Sequence, residues 1–193
     1  MKPNIILDLD ETLLNSQETT TFDKEKYRKK VSKFSMHDMD GFYLIFERGH
    51  LQKFLDYIFS NFTVSVWTAG SLDYCLFIVE KIILIKPERK LDYIFFSYHG
   101  ELSMSLTGDT KNLELLWKDY KLPGYNENNT IIVDNFDEVH LCQKHNCVIA
   151  KEFDFLDKGS ENDRFLLDLI PKLEKMRKHI LNGGTNPADI VNL

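Results

Sequence analysis

Cysteine is scarce in this chain, with three residues in 193, at positions Cys75, Cys142 and Cys147. A small, odd number argues against a secreted disulfide framework and fits a reducing compartment, cytoplasm or nucleus. Long apolar runs are missing too. No stretch approaches the roughly 20 residues that a membrane-spanning helix requires. An apolar segment, Ile5 to Leu9, begins almost at once, leaving no room ahead of it for a signal or transit peptide. There are no internal repeats and no low-complexity tracts of consequence. Basic residues are outnumbered, 24 against 30 acidic, and the net charge of −6 argues against general affinity for nucleic acid. What remains is ordinary globular material. Its 43% hydrophobic and 28% charged residues suffice for one core without metal or disulfide staples.

Short apolar segments alternate with amphipathic ones. Ile5 to Leu9, Phe62 to Trp67 and Thr130 to Val133 read as strands, the first and last buried on both faces of a sheet. Phe42 to Glu47, Tyr93 to Ser97 and Cys147 to Ala150 add three more. Leu51, Phe54, Leu55, Ile58 and Phe59 recur at helical spacing. Ser71 suits an N-cap for a helix reaching about Ile85 and closed by Pro87. Further helices are expected over Asn112–Tyr120, Asp137–Lys144 and Asn162–Leu181, the last kinked or divided at Pro171. Asn15 to Asp40 is polar without helical period. Tyr98 to Thr110, with two glycines, reads as a loop with room for a short hairpin. Alternating strands and helices imply an α/β fold with a mostly parallel sheet covered on both faces. One domain is expected over residues 1–181. The tail, 182–193, reads as flexible from Gly183, Gly184 and Pro187.

The first strand runs straight into two carboxylates, Asp8 and Asp10. A strand has period two, so both leave on one side while the backbone stays extended. Ligands of open α/β sheets sit beyond the carboxyl ends of strands, which is where this pair stands. The segment Asp8-Leu9-Asp10-Glu11-Thr12-Leu13 resembles the first motif of the haloacid dehalogenase superfamily. Its wording is that of the branch of RNA polymerase II C-terminal-domain phosphatases, the small CTD phosphatase and NLI-interacting factor-like group. Three more segments follow in the family's order. Trp67-Thr68-Ala69-Gly70 resembles the second motif, Lys111-Asn112-Leu113 the third, a lysine opening a helix, and Ile131-Ile132-Val133-Asp134-Asn135 the fourth.

The resemblance implies a Rossmann-like three-layer sandwich, the haloacid dehalogenase fold, with a mostly parallel central sheet. It implies a small insertion after the first strand, residues 15–42, and no large cap. It further implies a Mg²⁺-dependent phosphatase acting on phosphoserine or phosphothreonine in a flexible protein segment, through an aspartyl-phosphate. Asp8 is then the nucleophile and Asp10 the general acid and base. Thr68 and Lys111 hold phosphate oxygens. Mg²⁺ falls to Asp8, the backbone carbonyl of Asp10 and the side-chain oxygen of Asn135, with Asp134 beside it or paired with Lys111. Two other readings stay open: a small-molecule or nucleic-acid-end phosphatase with the same chemistry, and an idle binding module on this fold. The partner expected is a phosphorylated protein or peptide, with neither nucleic acid nor membrane involved.

Other features invite function. Within the insertion, Phe34, Met36, Met39 and Phe42 could line an apolar substrate groove, or simply pack a hairpin onto the core. The basic run Lys24, Lys26, Arg28, Lys29, Lys30 and Lys33 reads as a solvated face or a guide for an acidic partner. His140, Cys142, His145 and Cys147 lie close together, but without the usual zinc spacing. They read as core cysteines and surface histidines. The chain also departs from its relatives. Arg48-Gly49 stands where Arg-Pro is common, Tyr98-His99 where an arginine often lies near substrate, and Phe136-Asp137 where Ser-Pro often follows the fourth motif. These departures put the polymerase tail in doubt as substrate.

Overall fold

Five parallel strands make the central sheet of the computed structural model, which describes residues 2–192. In spatial order they are β6 (Leu91–Phe95), β5 (Thr63–Trp67), β1 (Asn4–Leu7), β7 (Thr130–Asp134) and β8 (Cys147–Ile149). Strand β1 is central because its side chains serve two cores in alternation. Ile5 and Leu7 enter the larger one with Val64, Val66, Ile131 and Val133, while Ile6 faces the other way with Trp67 and Ile132. The register matches: Ile5 lies beside Val64 on one flank and Ile131 on the other.

The larger core is roofed by α2 (Leu51–Asn61), α3 (Leu72–Ile78) and α6 (Phe165–Leu181). Helix α3 is capped by Ser71, whose Oγ accepts from the Tyr74 amide, and continues through a π-helical turn to Ile83. The opposite face is covered by a π-helical turn, Leu115–Asp119, and by α5 (Asp137–Cys142), which contributes Val139. This is the expected α/β sandwich with a mostly parallel sheet.

Between β1 and α2 the chain builds a second sheet, antiparallel, from β2 (Leu14–Glu18), β4 (Tyr43–Glu47) and β3 (Met36–Met39). One turn of helix, α1 (Arg28–Val31), lies inside the segment read as polar without helical period. This sheet has its own small core of Val31, Leu44, Phe46, Phe153 and Phe155, with the Phe46 and Phe155 rings stacked at 3.7 Å.

One local expectation fails. Residues 98–110 are not a loop or hairpin: α4 spans Ser97–Thr107. Gly108 ends that helix in the left-handed conformation, φ 82°, where a glycine costs least. The helix escapes periodicity because it buries only Ser103 fully, through a hydroxyl bonded to the Asp109 carbonyl and the Asn112 amide. Pro171 does not divide α6. It sits on the exposed side of a helix held by buried Leu166, Leu169, Leu173 and Met176, so its missing N–H falls toward solvent. In the tail, α7 (Asp189–Asn192) forms a turn against β8, with Ala188 and Val191 buried. Among the described residues no helix is long and apolar enough to cross a membrane.

Candidate active site

Because the five strands run the same way, their carboxyl ends deliver Asp8, Thr68 and Asp134 to one edge of the sheet. Strand β1 lies between β5 and β7, at the point where strand order reverses, which is where such sheets open a crevice. The amide of Asp8 still donates to the Val133 carbonyl, 3.0 Å. Beyond it the chain folds into a tight loop, with Leu13 bonded to Leu9 and Glu11 at φ 58°.

That loop is held from outside. Arg48 is buried under the insertion and donates to the Thr12 carbonyl at 2.9 Å and the Lys151 carbonyl at 2.7 Å. It also grips both carboxylate oxygens of Asp163 at 3.0 Å. Burial raises the Asp163 carboxyl, yet this bidentate pair outweighs burial and leaves it below the usual range. Thr12 in turn donates to Oδ1 of Asn135, 3.0 Å, joining the first and fourth motifs.

Lys111 is the hub. Its Nζ lies 2.5 Å from Oδ1 of Asp8 and 2.8 Å from Oδ2 of Asp134, and all three side chains are buried. Burial alone would lower the lysine's proton affinity; the two carboxylates reverse that and keep it charged. Lys111 does not open a helix as expected. It sits in a turn at φ 48°, four residues before the π-helical turn. Gln143 fixes that turn, donating to the Lys111 carbonyl at 3.0 Å and accepting from the Leu113 amide at 2.8 Å.

Asp10 has no cation in hydrogen-bond contact among the described residues; Tyr74 donates its hydroxyl to Oδ1, and Ser16 bonds the same phenol. Burial pushes the Asp10 carboxyl up to about 6, with Asp8 adding to the shift and Tyr74 opposing it. Burial likewise raises Asp134, with Asp8 adding and Lys111 opposing. Thr68 Oγ1 stands 3.5 Å from Oδ2 of Asp10 and accepts from the Gly70 amide, 2.9 Å. Gly70 leaves room for the Tyr74 ring, since a Cβ there would lie 2.6 Å from it and force the ring to move. The cluster can therefore hold an anion near one fixed cation, with a protonatable carboxyl alongside.

Asp8, Asp10, Thr68, Lys111, Asp134 and Asn135 all reach this edge. The four groove candidates do not gather. Phe34 and Met36 pack toward Phe153 and Phe155, Met39 joins the larger core, and Phe42 is 69% exposed. Lys30 and Lys33 are engaged with Glu161 at 2.9 and 2.6 Å. Cys75 and Cys147 are buried, Cys142 is partly so, and His145 is exposed. Sequence reasoning missed Arg48, Tyr74, Ser16 and Gln143. Tyr74 looks like any aromatic on the apolar face of a helix, and only its neighbours reveal a polar task for its hydroxyl.

A divalent cation fits the donor chemistry here. Asp8 keeps one oxygen free of Lys111, and Asn135 offers an amide oxygen bonded only by Thr12 among the described residues. Both are hard oxygen donors, as Mg²⁺ prefers. Asp134 fits less well as a direct ligand, because Lys111 and the Phe136 amide take its two oxygens. Among the described residues no group of three or more His, Cys, Asp or Glu is arranged around a common metal position.

Comparison with known proteins places the chain in a family. A CTD phosphatase-like protein of Invertebrate iridescent virus 6 is 40% identical over 95% of this chain and 99% of its own length. A counterpart from Invertebrate iridescent virus 3 is 34% identical over 91% of this chain and 97% of its own. The solved structure of the fission yeast RNA polymerase II CTD phosphatase Fcp1 superposes with a TM-score of 0.58. Its sequence is 17% identical; the match covers 94% of this chain and about half of the Fcp1 chain, 50%. That likeness identifies the haloacid dehalogenase fold. The family model for NLI interacting factor-like phosphatases matches residues 3–182, so the chain belongs to that phosphatase family, a branch of the haloacid dehalogenase superfamily.

Proposed function

We propose that this chain is a Mg²⁺-dependent protein phosphatase that hydrolyses phosphoserine or phosphothreonine through an aspartyl-phosphate on Asp8. The observation that carries the reading is the position of Lys111 Nζ against Asp8 Oδ1, with Asp10 beside them free of any contacting cation among the described residues. A carboxylate approaching a phosphate dianion meets repulsion of about 4 kcal/mol per unit charge at about 4 Å and an effective dielectric near 20. Lys111 supplies a fixed charge against that repulsion, and Thr68 Oγ1 a donor to a phosphate oxygen. Bound to Asp8, the Asp10 carbonyl and Asn135, Mg²⁺ would neutralise further phosphate charge.

The Asp8 carboxylate attacks phosphorus as the bond to the serine or threonine oxygen breaks, and that oxygen takes the proton held by Asp10. Burial favours the protonated form of Asp10 that this step needs. The Asp10 carboxylate so formed then removes a proton from water attacking the aspartyl-phosphate, and inorganic phosphate leaves. A peptide substrate is supported by the names of the relatives and by the site's place at the carboxyl ends of the strands beside a small insertion. Hydrolysis of an aryl phosphate with and without Mg²⁺, in wild type, Asp8→Asn and Asp10→Asn, is the test. Both substitutions should abolish turnover, and phosphopeptides should outcompete nucleotides and sugar phosphates. Undiminished turnover in either variant ends this assignment.

A further inference from the structure

The helix that replaces the expected loop at residues 98–110 gives the site a second wall. Between α4 and the loop after β5 lies a cavity of about 450 Å³. It is lined by Thr68 and Lys111 from the phosphate-holding groups, and by Ala69, Gly100, Glu101 and Met104. The space is therefore continuous with the catalytic edge, on a wall built by α4 and not by the insertion sheet. Its lining is mostly apolar, with Met104 exposed at 50% and unclaimed by any hydrophobic cluster among the described residues. Glu101 is the one carboxylate on it. It is exposed and forms no ion pair among the described residues, whereas Lys111, the one cation on the wall, is already committed to Asp8 and Asp134. At Gly100 an added Cβ would meet only the Thr110 hydroxyl, at an ordinary 3.8 Å, so the helix backbone itself forms a flat stretch of wall.

An apolar slot with one unpaired carboxylate selects a long side chain with a cationic end: the stem covers the apolar wall while the charge stays hydrated and paired. We propose that this cavity is a specificity pocket for a lysine or arginine flanking the phosphoresidue, its stem against Ala69, Gly100 and Met104 and its charge on Glu101. This rests on the phosphopeptide reading above and adds the substrate's sequence preference.

The test compares phosphoserine peptides carrying arginine, norleucine, alanine or glutamate at each flanking position. Wild type should favour arginine over alanine by about tenfold in kcat/KM, through KM, on one flank only. Norleucine should keep part of that gain. Glu101→Lys should invert the preference between arginine and glutamate, and Gly100→Leu, which fills the slot, should level all four peptides. Aryl phosphate turnover should stay unchanged in both variants, showing that each still folds. Binding of the same peptides to Asp8→Asn, followed by fluorescence anisotropy, should give the same ranking even without turnover. Failure of the phosphatase reading would appear as absent hydrolysis of every phosphate with the ranking of affinities intact. Equal affinities and rates across the four peptides, or a preference untouched by Glu101→Lys and Gly100→Leu, would overturn the pocket.

Discussion

Replacing Lys111 with methionine keeps most of the side-chain volume and removes one charge from between two carboxylates. The Asp8 and Asp134 side chains are 7% and 1% exposed, so neither can turn to water for compensation. Breaking a buried pair by removing one partner costs about 3–5 kcal/mol. For a chain of this size that corresponds to a fall in Tm of about 6–20 °C. The loss carries a pH signature. Without the lysine, burial and the Asp8 charge act unopposed on Asp134, which then holds its proton more tightly in the folded than in the unfolded state, so folding binds protons and the variant recovers stability as pH falls. Thermal melts followed by circular dichroism at pH 8 and pH 5 would read both effects. Adding Asp134→Asn to the variant should restore part of the loss, because one of the two stranded charges is then gone. A Lys111→Met protein melting with wild type at pH 8, or a deficit that grows toward pH 5, would refute this account of the cluster.

Arg48→Lys preserves charge but not the fork that reaches four acceptors. It should lower Tm by about 4–12 °C, from about 2–3 kcal/mol of unmade buried bonds, and slow aryl phosphate turnover by loosening the Thr12 loop. Because the folded-state pKa of Asp163 is depressed, its pairing stabilises the protein above the unfolded carboxyl pKa, near 3.9, and is lost as pH drops through the folded value. Acid unfolding of wild type below about pH 4 should therefore be steeper than in Asp163→Asn, which urea melts across that range would measure. Millimolar Mg²⁺ should raise Tm. At ten times its dissociation constant the gain is about 1.4 kcal/mol, and an unchanged melt would count against a metal site between Asp8 and Asn135.

The parallel sheet was legible because its strands state their burial directly: Ile5 to Leu7 and Ile131 to Val133 are apolar without alternation, as only doubly covered strands are. The catalytic candidates were legible for a related reason. Asp8, Thr68 and Asp134 stand at the ends of β1, β5 and β7, where chain direction alone gathers them, and Lys111 joins them from a turn. Helix α4 was not legible, since its placement depends on the Ser103 hydroxyl and the Gly108 cap and not on an apolar stripe. Arg48, Tyr74 and Gln143 were hidden because each serves residues 32 to 103 positions away by contacts that leave no local period. The supposed groove failed for the opposite reason. Proximity in sequence suggested a shared surface, while a two-residue period through β3 and the following turn sent Met36, Met39 and Phe42 to different places.

The short turn α7 has a task at the edge of the central sheet. Asn192 donates its amide to the Cys147 carbonyl and accepts from the Ile149 amide, imitating a neighbouring strand along the free edge of β8. Ala188 adds a main-chain bond to the His145 carbonyl just ahead of that edge. Shortening the chain at Gly184 would strip this cover and leave Cys147 to Ile149 ready to recruit another molecule edge to edge. Aggregation would follow, with the chemistry at the far end of the strands still built correctly.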